Sequence, residues 1–367
     1  MPLSGRLPRL RAAAAVTAAR APRPARHRRR RARGTVAAAL VAAVLGALTV
    51  SGPPASGSPE AAGDPRCALD EQLVADCGLL WGIYTNREGR GNLYRDITGI
   101  EEDAGRPFDV VHRYKDFSGT GASGVFPTRY EQRLGEEGRI LFYNWTTRRH
   151  DGAGRATWDD VAAGLHDERV VRPAARRLAR WDRPVFLAFD HEAEGERHPN
   201  QGEGEDYVRA WRHVHEIFEE EGADNVRWVW VSVGWTGHAD VIRSFYPGDA
   251  YVDWIGWDPF NYYVCRNLDW RTPEETIGPW YEWLEDNGFG DKPWMLAEYG
   301  SVADPRDPEA EARWYRNLVP ALRRYPRIRA VNLFDTHKKC DTRVTDEPAV
   351  MEEWSAAGRH PYVSRYR

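Results

Sequence analysis

Residues 184–195 read Pro184-Val-Phe-Leu-Ala-Phe-Asp-His-Glu-Ala-Glu-Gly195. Val185 to Phe189 is an apolar run bounded by a proline on one side and charge on the other, the pattern of a strand buried on both faces. The run delivers Asp190, His191, Glu192 and Glu194 at its end. In parallel α/β sheets the C-terminal ends of strands open into the ligand crevice, so carboxylates placed there point to chemistry more than to support of the fold.

Working outward, seven more apolar runs read as strands: Leu79 to Tyr84, Asp109 to Tyr114, Arg139 to Trp145, Val226 to Val233, Tyr251 to Trp257, Trp294 to Ala297 and Ile328 to Phe334. Helical patterns separate them. Thr157 caps a helix with Asp159 and Asp160 in its first turn, and Pro173 divides that segment. Tyr207 to Phe218 carries an apolar stripe at helical spacing. Thr272-Pro-Glu-Glu275 opens another helix, Glu309 to Tyr325 is a further one kinked at Pro320, and Pro348 to Arg367 reads as a last helix with a tail. Eight strand–helix units in about 260 residues predict a TIM (β/α)8 barrel as a single domain over residues 64–367, with a doubly wound sheet as the alternative.

Residues 1–63 read as a leader. Eleven arginines and no acid occupy the first 34 residues, followed by the apolar run Thr35 to Val50 and the small, proline-rich segment Ser51 to Gly63. This is the pattern of a secretory signal peptide, cleaved between Ala55 and Gly63, with an uncleaved membrane anchor as the alternative and a twin-arginine route left open by Arg28 to Arg31. From Asp64 onward 54 acidic residues face 40 basic ones, a balance of −14 that argues against nucleic acid and anionic membranes as partners. A secreted, extracellular monomer acting on a polymer is expected. Four cysteines suit an oxidising compartment, and the favoured pairing is Cys67 with Cys77 and Cys265 with Cys340.

A barrel gathers strand ends that the sequence keeps apart. Here they bring two carboxylates, Glu192 from the fourth strand and Glu298 from the seventh, among many aromatic residues, 16 of them tryptophans in the whole chain. Cleavage of a glycosidic bond asks for that set: one carboxyl protonates the leaving oxygen, another attacks or stabilises the anomeric carbon, and indole faces stack on sugar rings. The candidate substrate-binding residues are His191, Trp81, Trp145, Trp235, Trp257, Asp258, Tyr262 and Tyr299, whereas Trp211, Trp280 and Trp314, on helices, are expected in the core.

Three segments carry a specific resemblance: Phe189-Asp-His-Glu192, Tyr246-Pro-Gly-Asp-Ala-Tyr-Val-Asp-Trp-Ile-Gly-Trp-Asp258 and Lys292-Pro-Trp-Met-Leu-Ala-Glu298-Tyr-Gly-Ser301. They resemble glycoside hydrolase family 26, best known for β-mannanases, in the same order along the chain. The resemblance implies a retaining mechanism on a barrel with its acid/base, Glu192, on strand four and its nucleophile, Glu298, on strand seven. His191 would then orient a carboxylate or a sugar hydroxyl. Two departures stand out. Ala193 and Glu194 replace the family's Met-Asn after the acid/base, and Phe260 replaces the tyrosine that hydrogen-bonds the nucleophile, for which Tyr262 or Tyr263 would stand in. The expected substrate is a β-linked polysaccharide or oligosaccharide, β-mannan first (an endo-1,4-β-mannosidase-like activity), with β-1,3-xylan and mixed-linkage β-glucan as alternatives.

Neither cofactor nor metal is implied, because His-Glu-x-x-His is broken by Gly195 and no Cys-x-x-Cys occurs. Two rival readings remain: a catalytically silent glycan-binding barrel, and a metal-dependent hydrolase built on Asp190, His191, Glu192 and Glu194.

Overall fold

The computed structural model describes residues 67–86, 92–149, 152, 154–195, 201–363 and 366. The predicted leader and its cleavage site lie outside the described residues. Eight parallel strands close into a barrel: β1 Leu80–Thr85, β2 Val110–Asp116, β3 Ile140–Thr146, β4 Val185–Phe189, β5 Val226–Ser232, β6 Trp254–Trp257, β7 Trp294–Ser301 and β8 Ile328–Asp335. Each pairs with its neighbour in sequence, and β8 pairs with both β7 and β1 to complete the ring. The predicted TIM barrel is the observed fold.

Strand alternation sorts the side chains into two cores. Leu80, Val110, Phe142, Phe186, Val231, Met295 and Ala330 fill the barrel interior. The next residue along each strand, such as Trp81, Val111, Tyr143, Leu187 and Val331, packs outward under the helices. The outer layer comprises α1 Leu93–Ala104, α2 Arg129–Glu136, α3 Trp158–Ala162, α4 Arg172–Trp181, α5 Gly204–Glu220, α6 Ala239–Ser244, α7 Pro273–Asp286, α8 Ala310–Arg316, α9 Leu318–Leu322 and α10 Pro348–Gly358. Their starts follow local chemistry. At α7 the Thr272 hydroxyl accepts from Glu275 N at 3.3 Å while Glu275 returns a bond to Thr272 N at 2.8 Å, with Pro273 in the first turn. The expected helix 309–325 is two segments meeting at Asn317, because Pro320 has no N–H to donate to the carbonyl of Arg316.

The segment before β1 plugs the N-terminal end of the barrel. Cys67, Leu73 and Ala75 join the interior cluster, and the indole of Trp254 donates to Gln72 O at 2.7 Å. The Cys67–Cys77 disulfide closes that plug, while Cys265–Cys340 ties the loop after β6 to the loop after β8 at the opposite end. Both pairings match the sequence expectation. Among the described residues no helix is long and apolar enough to cross a membrane.

Candidate active site

The end of β4 is built around Asp190. Its carboxylate accepts from Thr146 Oγ1 at 3.0 Å, Thr147 N at 3.2 Å, Thr147 Oγ1 at 2.9 Å, Trp158 Nε1 at 2.8 Å and the Gln201 amide, and Arg155 lies 3.5 Å away. A buried carboxylate so fully satisfied is a structural pin. It fastens the loop after β3 and the start of α3 to the turn that follows β4. The turn itself is tight: Asp190 and Glu192 both adopt left-handed φ, 45° and 50°, and Glu192 N donates to Val231 O at 2.9 Å. Such conformations cost energy and persist where the surroundings enforce them. Glu194 is also anchored, accepting from Val233 N at 2.6 Å.

The end of β7 uses another device. Leu296 pairs with Val331 and Tyr299 with Leu333, so three steps along β7 match two along β8, which is a β-bulge. Strict alternation would send Glu298 outward after inward-facing Ala297. The bulge turns both residues inward and places Glu298 in the barrel mouth, while Tyr299 returns to the outer core. There Glu298 Oε1 accepts from the Tyr114 hydroxyl and from Asn144 Nδ2 at 3.2 Å, and His191 Nε2 stands 3.9 Å from the same oxygen. Asp258, just beyond β6, faces both glutamates.

The mouth is therefore a crowded set of carboxyls with few counter-charges. Burial first, and the charge of Glu192 second, push the Glu298 carboxyl well up, opposed by the bonds from Tyr114 and Asn144 and by the Lys338 ammonium. Burial and the charges of Glu298 and Glu192 hold Asp258 well above the usual carboxylate range. Like charges gathered in one buried mouth oppose one another's ionisation. His191 is pushed down to about 4, chiefly by burial, and is neutral.

The structure brings Glu192, Glu298, His191 and Asp258 together at the mouth. Tyr262 joins them at its edge, half-buried and stacked on Phe260 with centroids 4.9 Å apart. Trp235, beyond β5, is 57% exposed and free to stack on a ligand. Four candidates are corrected. Trp81, Trp145, Trp257 and Tyr299 are fully buried on the outer face of the wall. Trp81 packs on Trp354 at 5.5 Å, Trp145 on Phe117 at 4.8 Å and Trp257 on Trp294 at 6.2 Å, while the Tyr299 hydroxyl accepts from the Trp354 indole. They stand one residue out of phase with the inward-facing set. The expected stand-ins for the missing tyrosine are corrected too: the Tyr263 hydroxyl accepts from Arg306, the Tyr262 ring lies under Arg266 at 3.6 Å, and the phenol on Glu298 is Tyr114.

Tyr114, Asn144 and Lys338 escaped sequence reasoning. A polar residue in phase with the inward side chains of its strand was the available signal for the first two. Asn144 also begins an Asn-x-Thr sequon, yet its side chain is fully buried inside the barrel and closed to glycosylation in the folded protein. Among the described residues the only trio with metal-ligand spacing is Cys67, Asp76 and Cys77, and those cysteines form a disulfide. The donors that saturate Asp190 remove it from any ligand set with His191 and Glu194.

A closed parallel barrel with two glutamates at the ends of strands four and seven is the layout that the family resemblance implies. Residues 168–322 match the family model described as glycosyl hydrolase family 26, so the resemblance carried by the three motifs is borne out. The chain is 26% identical over 272 residues to endoglucanase H of Acetivibrio thermocellus, covering 71% of this chain and 28% of that protein. It is 28% identical over 233 residues to the β-1,3-xylanase TXYA of a Vibrio species, covering 57% and 43%. The chain thus spans less than half the length of either relative. Among solved structures, a family 26 β-mannanase from Bacteroides ovatus superposes with a TM-score of 0.56 at 16% identity, covering 80% of this chain and 93% of that one. At that identity the likeness is one of fold.

Proposed function

We propose that the protein is a secreted glycoside hydrolase that cleaves a β-linked polysaccharide with retention of configuration. The observation that carries this reading is the shared mouth of Glu192 and Glu298, close enough for the charge of one to raise the pKa of the other, with Glu298 Oε1 clamped by Tyr114 and Asn144. Glu298 Oε2 attacks the anomeric carbon as the glycosidic C–O bond breaks, and the departing oxygen takes the proton of Glu192. Water then gives a proton to the Glu192 carboxylate and displaces Glu298 from the anomeric carbon. The mature chain is proposed to act as an extracellular monomer without a cofactor, a reading supported by its leader, two disulfides and acidic body.

The relatives named as an endoglucanase and a β-1,3-xylanase broaden the substrate beyond β-mannan, and mixed-linkage β-glucan and β-1,3-xylan stand beside it. The silent-barrel reading drew on Phe260 and on the altered residues after Glu192, and on the first count the phenol of Tyr114 on Glu298 favours activity instead. The test is a pair of variants assayed on the three polysaccharides. Glu298→Ala is expected to abolish hydrolysis while the circular dichroism spectrum persists. Glu192→Ala should lose about 10²–10⁴-fold on polysaccharide, recover on aryl glycosides with good leaving groups, and yield a β-glycosyl azide with azide. Retained hydrolysis in Glu298→Ala would sink the assignment.

A further inference from the structure

The family pattern places a tyrosine after strand six to hydrogen-bond the nucleophile, and this chain has Phe260 there. Phe260 lies flat on Tyr262 and edge-on to Phe334, with centroids 5.9 Å apart, and offers no donor. The opposite side of the mouth supplies one. Tyr114 faces inward from β2 and its hydroxyl bonds Glu298 Oε1. The ring is held on every side: Tyr84 edge-on at 5.0 Å, His191 edge-on at 5.2 Å, Phe334 at 6.3 Å and the Lys338 ammonium 5.2 Å from its centroid.

We propose that Tyr114 is the positioning residue of the nucleophile in this protein, so that the hydroxyl lost at position 260 is supplied across the barrel from strand two. The proposal rests on the reading of Glu298 as nucleophile. Its logic is directional. Tyr114 and Asn144 both donate to Oε1, and among the described residues no donor reaches Oε2, so one oxygen is held and the other is left to attack. Burial, then the charge of Glu298, pushes the phenol well above its usual range, so it keeps the proton that it donates to Glu298. A donor bonds a carboxylate more strongly than an ester. The bond therefore weakens when Glu298 forms the glycosyl ester and strengthens again as water expels it, so its loss falls hardest on the second step.

The groups facing Glu298 set the pH dependence. Glu192 raises it, Lys338, Asn144 and Tyr114 lower it, Asp258 shares its charge, and His191 stands neutral beside it. Removing the phenol hydrogen bond favours the protonated acid, so the folded pKa of Glu298 rises and more of the enzyme is inactive on the acid side. In Tyr114→Phe the acidic limb of kcat/KM should move about one unit to higher pH. Above that limb kcat should fall about 10- to 100-fold, with KM falling alongside as the glycosyl-enzyme accumulates. A purely packing role would alter neither the limb nor KM in this sense.

The assay uses the mature chain with an aryl glycoside whose leaving group needs no protonation, which isolates the second step. A 2-deoxy-2-fluoro glycoside, followed by peptide mass spectrometry, locates the adduct in parallel. An adduct at Glu298 with the limb and KM displaced supports the proposal. An adduct at Glu298 with limb, kcat and KM unchanged overturns it and leaves the nucleophile in place, whereas an adduct elsewhere overturns the nucleophile as well. Site-specific 3,5-difluorotyrosine at position 114 keeps the shape of the ring should Tyr114→Phe fail to fold. It makes the phenol acidic and should add an alkaline loss of kcat, and absence of that loss also counts against Tyr114.

Discussion

The ends of β4 and β7 face each other across the barrel mouth, and each delivers one glutamate, but they do so by different physics. At β4 the backbone turns through two left-handed residues, and the buried carboxylate of Asp190 holds the turn through donors from three separate segments. At β7 the strand stays paired on both sides, and one extra residue in the ladder reorients Glu298. Side chains hold the backbone turn that presents Glu192, whereas strand pairing sets the backbone at Glu298, whose carboxylate Tyr114 and Asn144 then hold. The difference suits the two proposed roles, because a nucleophile gains from a rigid seat and an acid/base must be held within reach of the leaving group.

The contrast breaks most sharply at Asp190. Replacing it with alanine strips Thr147, Trp158 and Gln201 of their shared buried acceptor. We expect a loss of about 3 kcal/mol in urea denaturation. A turn freed to shift by about 1 Å should also cost about 100-fold in kcat. The matching change at the other end is Ser301→Ala. Ser301 Oγ accepts from Asn261 Nδ2 at 2.9 Å, but the ladder around it is main chain, so the expected cost is about 1 kcal/mol with kcat unchanged. If Ser301→Ala lowered kcat more than Asp190→Ala, the assignment of side-chain support to one end and backbone support to the other would be wrong.

Much of this was legible beforehand, and the remainder was hidden for a definable reason. Strands buried on both faces announce themselves as apolar runs, so all eight were placed within a few residues of their observed bounds. Glu192 and Glu298 follow such runs and sit in motifs, which made them the most readable residues of the site. Phase was harder. Trp145 and Asn144 are adjacent in one strand, and deciding which enters the mouth requires knowing which face of the barrel each residue takes. Sixteen tryptophans in a chain with charge at its strand ends suggested sugar platforms, but an indole fills the space between barrel and helices equally well. The bulge at 297–298 has no glycine or proline to mark it. The partnership of Tyr114 with Glu298 spans 184 residues of sequence and exists only once the barrel closes.

Phase also yields the smallest prediction and the most discriminating one for substrate. Trp235 is the proposed platform that remains exposed, with its ring 4.1 Å from His238 and few other neighbours to lose. Trp235→Ala should therefore leave stability within about 0.5 kcal/mol of wild type. If the indole stacks on a sugar ring beyond the cleavage point, the variant loses binding that is equal in the ground and transition states. KM for polysaccharide then rises several-fold while kcat holds, and short aryl glycosides that do not reach the loop after β5 are hydrolysed as before. A KM unchanged on every polysaccharide would remove Trp235 from the binding surface and leave sugar recognition to the residues lining the mouth itself.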